Sequence, residues 1–124
     1  MTQALMIATG GALGALLRFW SAQWVHSFMG RSFPYGTLMV NIVGSLAMGF
    51  MFVMLFERFN MGPEWRGLIM IGLLGAFTTF ATFSIETLHL LNNGELLKAG
   101  LNILLSVVLC IAAAWLGMLL GRQI

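Results

Sequence analysis

Residues Gly67 to Leu91 read GLIMIGLLGAFTTFATFSIETLHLL, and Glu86 is the only charged side chain in the run. A helix needs roughly 20 predominantly apolar residues to cross the hydrocarbon core of a bilayer. The stretch is therefore long enough for one crossing and too long for a barrel strand. Backbone groups in lipid must be satisfied within the segment, which leaves the helix as the spanning form. Its second half is less ordinary. Glycine costs a helix about 1 kcal/mol against alanine, and adjacent threonines carry hydroxyls that compete for backbone groups. The composition predicts a transmembrane helix broken near its middle, between Gly75 and Thr79. Unwound backbone at membrane depth persists only where it is buried in protein or faces water, and freed carbonyls there can coordinate a cation.

The same reading extends to the rest of the chain. Apolar stretches cover about residues 4–28, 36–56, 67–91 and 99–120, which predicts an all-α, single-domain membrane protein of four transmembrane helices over residues 1–124. The connections are short: Gly30 to Tyr35 around Pro34, a polar link from Glu57 to Arg66 containing Gly62 and Pro63, and Asn92-Asn93-Gly94-Glu95. The first stretch has no Lys or Arg before it and runs to Phe28, so it reads as a retained helix, not a cleaved signal. With 60% hydrophobic and 8% charged residues, against about a quarter charged in soluble domains, the 124-residue chain leaves no room for a soluble domain. Six scattered basic residues offer no nucleic-acid surface. The single cysteine, Cys110, excludes an intrachain disulfide and reads as structural filler.

Charge placement bears on orientation. If both termini and the middle link share one side, that side holds Arg58, Arg66 and Arg122, while the other holds Arg31, Lys98 and, by snorkelling, Arg18. Three against three gives the positive-inside rule nothing to act on. The expectation is a chain that inserts both ways and pairs antiparallel with itself.

Helices in lipid associate through small residues and a few polar contacts. Gly11, Gly14, Ala15, Ser21 and Ala22 share an arc with Arg18, which sets that charge against protein, either as a clasp for a neighbouring carbonyl or carboxylate or as an anion-attracting group. The second stretch carries Thr37, Asn41, Gly44 and Ser45 at helical spacing, and the fourth carries Asn102, Ser106, Cys110, Ala113 and Gly117. These stripes either pack or line a wet path. Asn41 offers amide donors without charge, which suits a small anion better than a cation. Beyond the expected break, Thr79, Thr82, Phe83, Glu86 and Thr87 share one arc with Phe80 at its edge. Phe80 and Phe83 either pack in a core or present electropositive ring edges to an anion. Glu86 is an intramembrane carboxylate, a proton carrier or a structural partner. No nucleophile, base and orienting group assemble anywhere, so no enzyme is expected.

Three runs, one per helix and in order, resemble the small fluoride channels of the Fluc or CrcB family: Gly10-Gly11 through Gly14-Ala15 with Arg18-Phe19; Gly36 through Gly44 around Asn41; and Gly72 and Gly75 followed by Thr78-Thr79-Phe80 and Thr82-Phe83-Ser84. The resemblance implies a dual-topology homodimer in the bacterial inner membrane. It also implies two antiparallel pores that passively export fluoride, and a structural sodium ion at the dimer centre held by the backbone carbonyls of Gly75 and Thr78. On this reading Asn41, Thr79, Phe80, Thr82, Phe83 and Ser106 belong to the fluoride pore, and Arg18 and Glu86 are structural or anion-attracting. One position departs from the family pattern: Ala81 stands where serine is expected, which removes a hydroxyl. Two rivals remain from other classes. A proton-coupled small multidrug exporter also uses four helices, but needs an acidic residue in the first, where this chain has none, so Glu86 would have to substitute. A non-conducting scaffold subunit needs only the glycine stripes.

Overall fold

The computed structural model describes residues 1–124 and is wholly helical. Helix α1 spans Thr2–Met29 and α2 spans Tyr35–Phe52, continuing through a π-helical turn over Val53–Arg58. The third crossing is composite: α3 (Pro63–Arg66), a π-helical segment (Gly67–Leu74) and α4 (Gly75–Phe77), then α5 (Phe80–Asn92). Helix α6 spans Leu96–Gln123. The units Thr2–Met29, Tyr35–Arg58, Pro63–Asn92 and Leu96–Gln123 are each long and apolar enough to cross a membrane, and the chain is a multi-pass membrane protein.

The helices run past the apolar stretches at several ends. Glu57 and Arg58 complete the second crossing, and the third begins at Pro63, four residues before the hydropathy rises. Proline at the first helical position lacks only an N–H that would be unpaired there, and Gly62 enters it in an extended conformation (φ −68°, ψ 170°). Hydropathy marks where lipid begins; it does not mark where a helix ends.

The interior is inverted relative to a soluble protein. Its buried residues include Thr37, Thr87, Asn102 and Ser106, whereas Leu13, Trp20, Leu104, Ile111 and many other large apolar side chains point outward. Lipid tails are as apolar as leucine, so close backbone approach takes over the role of a greasy core. Glycines make the approach possible in two helix pairs. A methyl group on Gly10 or Gly14 of α1 would collide with the main-chain oxygens of Leu68 or Leu73, and one on Gly49 or Gly117 would strike those of Ala114 or Leu46 between α2 and α6.

Between α4 and α5 the chain leaves the helix. Thr78 (φ −86°, ψ 161°) and Thr79 (φ −154°, ψ 120°) are extended, while Gly75 keeps helical angles (φ −61°, ψ −41°). Thr79 then starts α5 as its N-cap, its hydroxyl accepting the Thr82 N–H at 3.2 Å. A polar clasp ties α5 to α6: the Asn102 amide donates to the Thr87 hydroxyl at 2.8 Å, which itself donates to the Phe83 carbonyl at 2.8 Å.

Candidate anion path

The extended pair sits opposite α2, which receives it with two residues one turn apart. Gly44 leaves room for the Thr78 methyl group, which any side chain there would strike. Asn41 grips Thr79 with both ends of its amide: Nδ2 donates to the Thr79 carbonyl at 3.0 Å, and Oδ1 accepts the Thr79 N–H at 2.8 Å. Non-helical backbone in lipid needs partners of this kind. Asn41 has one amide hydrogen left, and its side chain lines an open groove.

That groove, about 430 Å³, lies between α2, α5 and α6. Its walls bring together Asn41, Thr79, Phe80, Phe83 and Ser106 with Ser45 and Cys110. Phe80 and Phe83 stand 5.4 Å apart between ring centroids at 48°, and Phe80 is 78% exposed, its ring at the groove's open side. Ser106 is buried, yet its hydroxyl has no partner. The lining is uncharged and mostly apolar: the Asn41 amide, the threonine and serine hydroxyls and the Cys110 thiol stand among Phe80, Phe83, Met48, Val107, Ile111 and Ala114.

Thr82 lies elsewhere. It faces a second, smaller cavity of about 200 Å³ with Arg18, Gln23, His26, Arg31, Thr37 and Glu86, and Thr79 borders both spaces. Arg18 acts as a clasp there, its Nε donating to the Ala76 carbonyl at 3.0 Å just before the extended pair. Glu86 Oε1 is buried without a partner, and the same side chain borders a third space of about 360 Å³ with His26, Arg31 and His89. A basic and polar antechamber thus adjoins an uncharged groove, with Thr79 as their common wall.

The stripes read as packing or lining a wet path reach the groove in Ser45 and Cys110, and one feature was missed altogether. Cys110, read as filler, lines the groove one turn beyond Ser106, a spacing of four that was visible in the sequence. Ser45 does the same, one turn beyond Asn41. The antechamber's His26 and Arg31 could not be foreseen, because their proximity to Glu86 is set by how the first turn folds back on α5. At the helix interruption, Gly75 and Thr78 offer carbonyl oxygens, the hard neutral donors an alkali cation takes. The Gly75 carbonyl also accepts from the Thr78 hydroxyl at 3.4 Å, a long bond that a cation ligand can forgo.

Comparison with known proteins adds a shared ancestry to this geometry. Residues 5–118 match the family model described as CrcB-like protein, Camphor Resistance (CrcB). Proteins named fluoride-specific ion channel FluC are similar over nearly the whole chain. That of Coxiella burnetii is 49% identical over 121 residues, covering 97% of this chain and 98% of the relative. That of Shewanella amazonensis is 51% identical over 117 residues, 94% of each. The Methylococcus capsulatus protein is 54% identical over 118 residues, 95% of this chain, which spans about half that relative's length. A family match over most of the chain, joined to full-length relatives at this identity, places the chain in the CrcB family.

Proposed function

We propose that this chain is a fluoride-selective channel that passively exports fluoride across the bacterial inner membrane and so relieves fluoride toxicity. The observation that carries the reading is the meeting of Asn41, Thr79, Phe80, Phe83 and Ser106 on one uncharged groove. Fluoride is small and holds its water tightly, so a selective path must replace that water with close donors. The spare amide hydrogen of Asn41, the free hydroxyl of Ser106 and the positive edges of two phenyl rings are such donors. None carries a full charge that would trap the ion. Arg18 and Arg31 in the antechamber attract anions to its mouth, and Thr82 and Glu86 line the approach.

The groove is open on one side, and a polar seam facing lipid is costly. A second copy, inserted in the opposite sense, closes it and makes two antiparallel pores. The near balance of basic residues on the two sides, Arg58, Arg66 and Arg122 against Arg31 and Lys98, supports this pairing. A sodium ion fits the same arrangement as a structural part, held at the centre by the Gly75 and Thr78 carbonyls of both copies. The multidrug-exporter reading is not favoured: α1 carries no acidic residue, and the full-length relatives are named for fluoride.

The test is efflux from liposomes loaded with fluoride or chloride and containing the purified protein. Rapid fluoride efflux with no chloride efflux is expected. Equal rates for the two halides, or none for either, would overturn the proposal.

A further inference from the structure

The antechamber holds a titratable side chain to which the channel reading gives no task. His26 of α1 borders both the cavity of about 200 Å³ and the neighbouring space of about 360 Å³. Two contacts fix its ring. Nδ1 lies 3.2 Å from the Gly30 carbonyl at the end of α1, and Gly36 of α2 leaves room for Nε2, which a methyl group there would approach to 2.7 Å. A carbonyl oxygen can only accept, so in the neutral ring Nδ1 carries the hydrogen and Nε2 the lone pair. Nε2 has no hydrogen-bond partner and is not sealed off as Glu86 Oε1 is. The neutral ring thus meets an arriving anion with an acceptor. A proton taken from water at Nε2 turns that acceptor into a donor and adds a full positive charge.

The charged and titratable groups around the ring come from several elements. Arg18 of α1 is held on the Ala76 carbonyl, and Arg31 in the following link donates to Gln23 at 3.0 Å. Both arginines stay protonated at any working pH. From α5 come Glu86, which forms no ion pair, and His89, whose Nε2 lies 3.1 Å from the Asn93 amide. The α2 wall, Thr37 and Val40, has no ionisable group, and Lys98 of α6 is bound to the Ser32 carbonyl and Glu95.

We infer that His26 is a proton-dependent binding group for a small anion, so that acidification from about pH 8 to about pH 6 speeds fluoride entry. The inference rests on the channel reading. In acid the ring joins its donor and charge to those of the two arginines and raises the anion concentration at the mouth. In base donor and charge are both lost. Protonation of Glu86 acts in the same direction, so substitution must separate the two groups.

The probe is fluoride below saturation, in proteoliposomes of the full chain at one pH inside and out. Initial efflux is read by electrode at about pH 6 and about pH 8, and the rate from protein-free liposomes is subtracted, because hydrogen fluoride crosses bare lipid. The unaltered chain is expected to run at least threefold faster at the lower pH. H26N keeps a donor for Gly30 without the second nitrogen, and H26Q offers a permanent amide; in each the ratio should fall to about one, while E86Q and H89Q keep it. A ratio of one in the unaltered chain, a ratio that survives both His26 variants, or one lost in E86Q or H89Q overturns the inference and leaves the channel reading standing. A second measurement needs no change at position 26. The chain has two histidines, so isotope-labelled histidine in H89Q reports His26 alone, and fluoride should raise the pH at which its ring takes up the proton. No such rise overturns the inference. Absence of efflux at both pH values removes the channel reading and the inference together.

Discussion

Asn41 shows how one side chain can have two duties. Its carboxamide is of the right length to give Thr79 a donor and an acceptor at once, and it retains a hydrogen for the groove. Replacing it by alanine strands the N–H and C=O of Thr79, and a part-buried group left unpaired costs about 1–3 kcal/mol. N41A is therefore expected to lower the thermal midpoint in detergent and to cut fluoride efflux at least tenfold; a variant with unchanged melting would show that the grip on Thr79 is dispensable. The polarity of Asn41 was legible in the sequence, but its partner was not. Thr79 lies 38 residues away, and no local pattern says which backbone group an amide will hold. Ser106 was legible as one member of a stripe; that its hydroxyl is left unpaired depends on packing alone. Ala81, exposed beside Phe80, touches nothing here that explains the missing hydroxyl.

The crossings depend on where side chains are missing. Gly117 of α6 rests on the main chain of α2 at Leu46 and Phe50, while Gly100 of the same helix has open space around it. The contrast gives a matched pair of variants. G117L must push apart two backbones that cannot yield, and overpacking of this kind costs about 1–3 kcal/mol or more. It should elute as aggregate on size exclusion, whereas G100L should elute as the wild type; equal behaviour of the two would refute the close crossing. Apolar length was enough to read four spans from the sequence. It did not reveal the π-helical turn at Val53–Arg58 or the helical start at Pro63, because charged residues at an interface continue a helix without raising hydropathy. The glycine at position 75 drew attention as a helix breaker, yet the extended residues are Thr78 and Thr79. Asn41 and Gly44 on α2 fix that position, and local propensity carries no trace of them.

The molecule as a whole has two similar ends. At one, Arg58 donates to the Arg122 carbonyl at 2.7 Å and Arg122 pairs with Glu57 at 3.2 Å; at the other, Lys98 bonds the Ser32 carbonyl and pairs with Glu95. Arg58, Arg66 and Arg122 at one end face Arg31 and Lys98 at the other, because Arg18, expected to snorkel outward, instead holds the Ala76 carbonyl beside the helix interruption; so small an excess gives the membrane little by which to choose a direction. Fusions of a cytoplasm-only and a periplasm-only reporter to the carboxyl terminus are both expected to be active in comparable amounts. Adding three lysines after Ile124 should silence the periplasmic reporter and, with one orientation depleted, reduce fluoride efflux from cells. Activity of a single reporter in the unaltered chain would end the two-way insertion proposal. The near balance of charge was readable from the residues alone; the hold of Arg18 on the Ala76 carbonyl, 58 residues away, was not.

The grip on Thr79 reaches further than its two hydrogen bonds. By giving both main-chain groups of its least regular link to a neighbouring helix, the chain makes the groove beside Asn41 and Phe83 a joint property of α2 and α5. Neither helix can drift without dragging the other, so in the proposed channel a passage there would keep its width where the backbone alone would be soft.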